Sequence, residues 1–208
     1  MQYLILINSL QERQKSEETT MNTEFYDFSR PTARLQHEML KTAEKTFRIM
    51  QENNLIAVPE RKAFAFAVWP RQLYPFPFPK AVIGTTFDPK LGFDKNCNTL
   101  VEEKQTRQFE YHDSCSAATR NPEEGKWEGS ISVIIDGFEW GFSASGLKGR
   151  EDQAVSIMNP CIILPDHFSL KTPRIKRILE ICEGFEDLKG ITGYTHEVFN
   201  TIKQSLNF

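Results

Sequence analysis

Apolar residues first recur at helical spacing at Leu35, Met39, Ala43, Phe47 and Met50, a single stripe along one helix. Ser29-Arg30-Pro31-Thr32 supplies the start, with a proline near the first helical position and hydroxyls for the cap. The pattern predicts one long amphipathic helix to about Glu52. The period then changes. AFAFAVW (63–69) is an almost unbroken apolar run between turn signals, which predicts a central strand covered on both faces. PRQLYPFPFPK follows, and its prolines exclude both a helix and an inner strand. AVIGTTF (81–87) predicts a second strand, ended by Asp88-Pro89.

Residues 95–110, KNCNTLVEEKQTRQFE, predict a second helix with a mostly solvated face. DSCSAAT (113–119) reads as a short strand or a loop, and NPEEGKWEG as a turn region. Val133, Ile134 and Ile135 are β-branched, Asp136-Gly137 is a two-residue hairpin signal, and Phe138, Trp140 and Phe142 recur with period two. A hairpin is predicted, with one bulky apolar face on its returning strand. REDQAVSIM starts a helix, with Glu151 and Asp152 in its first turn, and Pro160 is expected to cut it short. Further helices are predicted at 173–185 and 196–206. Helices interleaved with strands that close in a hairpin indicate an α+β domain, an antiparallel β-sheet flanked by helices. The expected division is a flexible leader (1–28), the α+β domain (29–160) and a helical C-terminal extension (161–208). Within the leader, MQYLILIN reads equally as an added strand or a tail.

Composition narrows the function classes. A 39% hydrophobic and 12% aromatic chain of 208 residues can build a core. A formal net charge of −3 without a dense basic cluster argues against a nucleic-acid partner. The N-terminal apolar run lacks a basic lead and is too short to span a membrane, so no membrane partner and a cytoplasmic location are expected. Cys97, Cys115, Cys161 and Cys182 are widely spaced without a CxxC pair, which favours free thiols in a reducing compartment. Neither GxGxxG nor GxxxxGK[ST] occurs, which disfavours nucleotide-binding α/β architectures.

Asp136, Gly137, Gly141, Ser145, Gly146 and Asp152 form a pattern of strand, DG turn, strand, Ser-Gly and acidic helix start. In this the chain resembles the GlcG/HbpS-like family of haem-degrading or haem-binding domains. EEKQTRQFEYHDS, with Lys104, Phe109, His112 and Ser114, is a looser match to one branch of that family. The resemblance covers roughly residues 30–160. It implies a profilin-like fold of α/β/α layers, a small-molecule ligand such as haem or another flat hydrophobic molecule, and a homo-oligomer. The proline-rich loop at 70–79, Pro160 and the added C-terminal residues depart from the family pattern. The last of these bears on whether the family's oligomer can form.

The candidate ligand-binding residues are His37, His112, Trp69, Tyr74, Trp140, Ser145, Gly146 and Asp152. His37 flanks the apolar stripe of the first helix. As a haem axial ligand it needs an open pocket beside it, and a half-exposed surface histidine is the plainer reading. His112 stands among Asp113, Ser114 and Cys115, an orienting acid and two possible nucleophiles, although neighbours in sequence need not share a face. Trp69, Tyr74 and Trp140 suit either an apolar ligand pocket or a subunit interface. Ser145-Gly146 at a strand end, meeting a helix start, either leaves backbone N–H groups open to an anion or makes a tight turn capped by Glu151 and Asp152. No metal-ligand spacing is present. A binding protein leads, an oligomeric adaptor is its rival, and an enzyme acting on a hydrophobic small molecule comes third.

Overall fold

The computed structural model describes residues 29–59, 61, 63–73, 80–84 and 97–206. By internal contacts the chain divides into residues 1–38 and 39–208, and the sheet with all that packs on it belongs to the second unit. The helix α1 (Ser29–Glu52) runs across that division. It ends with Asn54 at positive φ (55°) and Leu55 N–H bonded back to the Met50 carbonyl at 2.9 Å, a left-handed C-terminal cap. Four strands follow in one antiparallel sheet: β1 (Ala63–Pro70), β2 (Lys80–Gly84), β3 (Ser130–Ile135) and β4 (Phe138–Ser145). Their order is β2-β1-β4-β3, so the apolar run at 63–69 is central, as its pattern predicts. The remaining helices are α2 (Cys97–Tyr111), α3 (Gly149–Ile163), α4 (Pro173–Glu183) and α5 (Ile191–Leu206). The last begins five residues before its sequence pattern suggests. The class is α+β, an antiparallel sheet with helices against it.

The hairpin forms where the sequence puts it. Ile135 pairs with Phe138, and Asp136 and Gly137 both take positive φ (51° and 81°), the two-residue turn that matches strand twist. Strand register then sorts side chains into two unlike faces. Phe66, Val68, Ala144, Phe142, Ile131 and Val133 share one face, and all are buried. Phe47 of α1 packs on this face, its ring 5.0 Å from that of Phe64. The other face carries Ala65, Ala67, Gly141, Ser143, Ser130 and Ser132, and α2 covers it.

Helix α2 departs from its predicted solvated face. Lys104, Gln105, Arg107 and Gln108 are buried. The small residues beneath leave room for long polar side chains: a Cβ on Gly141 would lie 1.9 Å from Gln105 Nε2. The polar atoms find partners there. Ser143 Oγ donates to the Val101 carbonyl (2.9 Å), Ser130 Oγ donates to Gln105 Oε1 (3.2 Å) and to Gln108 Oε1, and Arg107 donates to the carbonyls of Ser116, Thr119 and Trp127. A helix that looks polar all round in sequence is buried by hydrogen bonding instead of by hydrophobicity.

Pro160 does not end α3, which continues to Ile163. The proline forfeits one helical hydrogen bond, but residues 151–161 are all buried, and that packing holds the last turn in place. Asn159 Nδ2 donates to the Met39 carbonyl (2.8 Å) and ties α3 to α1. The C-terminal helices pack onto the same unit. Tyr194 of α5 donates to the Leu55 carbonyl (2.7 Å), and Asp187 makes a two-pronged pair with Arg120 at 2.5 and 2.6 Å. That guanidinium holds the Asp187 carboxyl below its usual range. The exposed edge of β3 is covered. Ser132 N–H donates to the Ser114 carbonyl, Cys115 bridges Ile131, and Arg174 of α4 donates to the Ser132 carbonyl at 2.7 Å. Among the described residues no helix is long and apolar enough to cross a membrane.

Candidate functional site

The seven candidate residues that the structure describes do not gather into one site. Ser145, Gly146 and Asp152 meet where β4 turns into α3. Gly146 has φ +127°, a conformation that side chains rarely adopt. Two backbone donors of this corner are engaged by side chains: Leu147 N–H by Asp152 Oδ1 (3.0 Å) and Lys148 N–H by Glu151 Oε2 (3.1 Å). Glu151 Oε1 also accepts from Ala57 N–H at 2.6 Å, and Arg61 holds the Gly146 carbonyl at 2.7 Å. An incoming anion would meet two carboxylates where open N–H groups were expected. The corner is a capped turn.

Behind it lies a buried ion pair. Lys104 Nζ reaches past the start of β3 to the Ala144 carbonyl (2.8 Å) and to Asp152 Oδ2 (3.2 Å), with the lysine side chain 2% and the aspartate 5% exposed. Gly129 makes this passage possible, because a Cβ there would sit 2.8 Å from the ammonium and 2.6 Å from the Ala144 carbonyl oxygen. Asp152 thus joins the helix cap to the polar layer under α2. The motif reading singled out Lys104 and Asp152 separately, and only the fold joins them.

Trp69 and Trp140 are both buried but lie on opposite faces. Trp69 registers with Gly141 on the α2 face, while Trp140 registers with Pro70 and points the other way. They do not line one pocket. Tyr74 lies outside the described residues. His37 is exposed on α1.

His112 is the candidate that the fold places among charged partners. It follows α2 at φ 55°, and Asp113 N–H bonds back to the Gln108 carbonyl at 3.3 Å. This is the left-handed cap position that glycine usually takes. The imidazole is exposed, and its Nε2 accepts from Arg71 Nη2 at 3.1 Å. Arg71 Nη1 donates to Glu139 Oε2 (2.8 Å), and its guanidinium stands 6.0 Å from the Phe109 ring centre. Arg174 approaches Glu139 Oε1 at 3.9 Å and donates to Ser132 Oγ at 2.7 Å. His112, Arg71, Glu139 and Arg174 therefore form a charged rim at one end of the α2 face.

The neighbours of His112 in sequence serve elsewhere. The Cys115 thiol is buried against Cys182 of α4, and the Ser114 carbonyl holds the β3 edge. No Cys–His or Ser–His pair is made there. Arg71, Glu139 and Arg174 carried no motif, since they lie in three separate segments and only strand register and helix docking join them. Among the described residues, no group of three or more His, Cys, Asp or Glu side chains is placed to hold a metal ion. No family model, no curated protein and no solved structure matches the chain.

Proposed function

We propose that this chain is a cytoplasmic small-molecule-binding protein of the GlcG/HbpS-like type, and that it takes a flat hydrophobic ligand bearing an anionic group at the rim of Arg71, His112 and Arg174. The observation that carries the reading is the placement of His112. A histidine occupies the left-handed cap where glycine costs less, and it presents an imidazole to solvent beside the Arg71 guanidinium. Arginine recognises carboxylates by paired hydrogen bonds. Four free cysteines accord with the reducing compartment.

Haem belongs to this ligand class, but an axial bond does not fit the arrangement as it stands. Arg71 occupies Nε2 of His112, and the ring is open to solvent instead of walled by apolar side chains. Titration with haemin and with iron-free protoporphyrin separates the cases. Binding of both, weakened by Arg71→Ala and Arg174→Ala, supports recognition of the flat ring and its carboxylates. A Soret shift with haemin that His112→Ala abolishes would assign an axial ligand. Failure of both porphyrins to bind removes this ligand class.

A second reading, an oligomeric adaptor, draws on Tyr111, Trp127 and Ile134, large side chains that are 62%, 40% and 50% exposed. A homo-oligomer in light scattering that Trp127→Ser dissociates would favour it.

A further inference from the structure

Two of the four thiols are placed differently from the others. Cys115 stands at the β3 edge, bridged to Ile131, and begins the short 3-10 helix Ser116–Thr119. Cys182 lies on α4, which packs directly on that 3-10 helix. Both side chains are fully buried, and the two thiols are hydrogen-bonded to each other. This mutual contact pulls the Cys115 thiol below its usual value despite burial, and pushes that of Cys182 up. Cys161 offers the contrast, since burial alone pushes its thiol up to about 12. Thiolate character is what makes a cysteine react.

We propose that Cys115 and Cys182 form a reversible dithiol–disulfide pair, oxidised by hydrogen peroxide, that locks α4 against the covered edge of β3. In the first step the Cys115 thiolate attacks one peroxide oxygen. The O–O bond breaks, leaving a sulfenic acid on Cys115 and a hydroxide that takes up a proton as water. Cys182 then gives up its proton and attacks the Cys115 sulfur. The S–O bond breaks, the second oxygen leaves as water, and the disulfide forms. Two thiols and one peroxide become one disulfide and two waters. Because both sulfurs are buried, a local opening of α4 gates the first step. Thiol reductants of the cell reverse it.

The test uses the full chain and hydrogen peroxide. The protein is oxidised, remaining thiols are alkylated with iodoacetamide, and the digest is read by mass spectrometry. The expected product is a peptide pair joining Cys115 to Cys182, two hydrogen masses lighter and separated by dithiothreitol, with Cys97 and Cys161 alkylated. The oxidised protein should melt several degrees higher, and reduction should return it. Cys182→Ser should leave a sulfenic acid on Cys115 that dimedone captures. Should that variant fail to fold, the wild-type linkage map decides alone. Single alkylation of Cys115 and Cys182 after peroxide, or linkage of either to another cysteine, overturns the proposal.

Discussion

The two faces of the sheet solve burial in opposite ways. On one, Phe64, Phe66, Val68, Ile131, Val133 and Phe142 are buried as aromatic and branched side chains, and Phe64 meets Phe47 of α1. On the other, Ser130, Ser132, Gly141 and Ser143 lie beneath Lys104, Gln105 and Gln108 of α2, and the layer is held by named hydrogen bonds and one ion pair. An apolar face is stabilised by area and tolerates reshaping, since no single contact is directional. A polar layer depends on every partner being present, because an orphaned buried group retains its desolvation cost. The difference explains why the polar face can end in an exposed charged rim at His112. A layer already built from directed polar contacts can continue into solvent without a seam.

The comparison is broken most severely at the ion pair. Lys104→Met should destabilise the fold by about 3–5 kcal/mol, because it strands the Asp152 carboxylate in the interior. Urea denaturation measures it. Adding Asp152→Leu should return much of that loss, and a double variant no better than Lys104→Met would show that the pair is not the cause. Next comes Gln105→Met, similar in size but without the amide that accepts from Ser130 Oγ and donates to Gln108. A loss of roughly 1–3 kcal/mol is expected by the same measurement. On the apolar face Ile131→Leu keeps volume and needs no partner, so its cost should stay below about 1.5 kcal/mol. A larger cost than that of Gln105→Met would invert the contrast. The smallest effect has the opposite sign. His112→Gly should stabilise by up to about 1 kcal/mol through relief of the left-handed backbone, while porphyrin binding falls. A stability loss in thermal melts would mean that the Arg71 contact outweighs the strain.

Much of the architecture is legible in local pattern. The 63–69 run marks the central strand, Asp136-Gly137 the hairpin, and Leu35 to Met50 the first helix, because periodicity and turn chemistry act within a few residues. Even the face of Phe138, Trp140 and Phe142 comes from period two. The failures have a common cause. Lys104, Gln105 and Gln108 look solvated because sequence gives polarity without location, and their burial depends on glycine and serine residues in strands far along the chain. Pro160 looks like a terminator because the burial around α3 is invisible locally.

The candidate site divides along the same line. The chain alone determined that Ser145-Gly146 must turn, that Glu151 and Asp152 could cap the helix after it, and that His112 sits beside an acid and a thiol. Tertiary structure alone decided that Cys115 meets Cys182 and not His112, that Trp69 and Trp140 point apart, and that Arg71 joins the imidazole to Glu139, which Arg174 also approaches. Capping and turning are set by atoms a few bonds away. Which charges meet is set by strand register and by where the C-terminal helices dock, and those depend on packing across the whole unit.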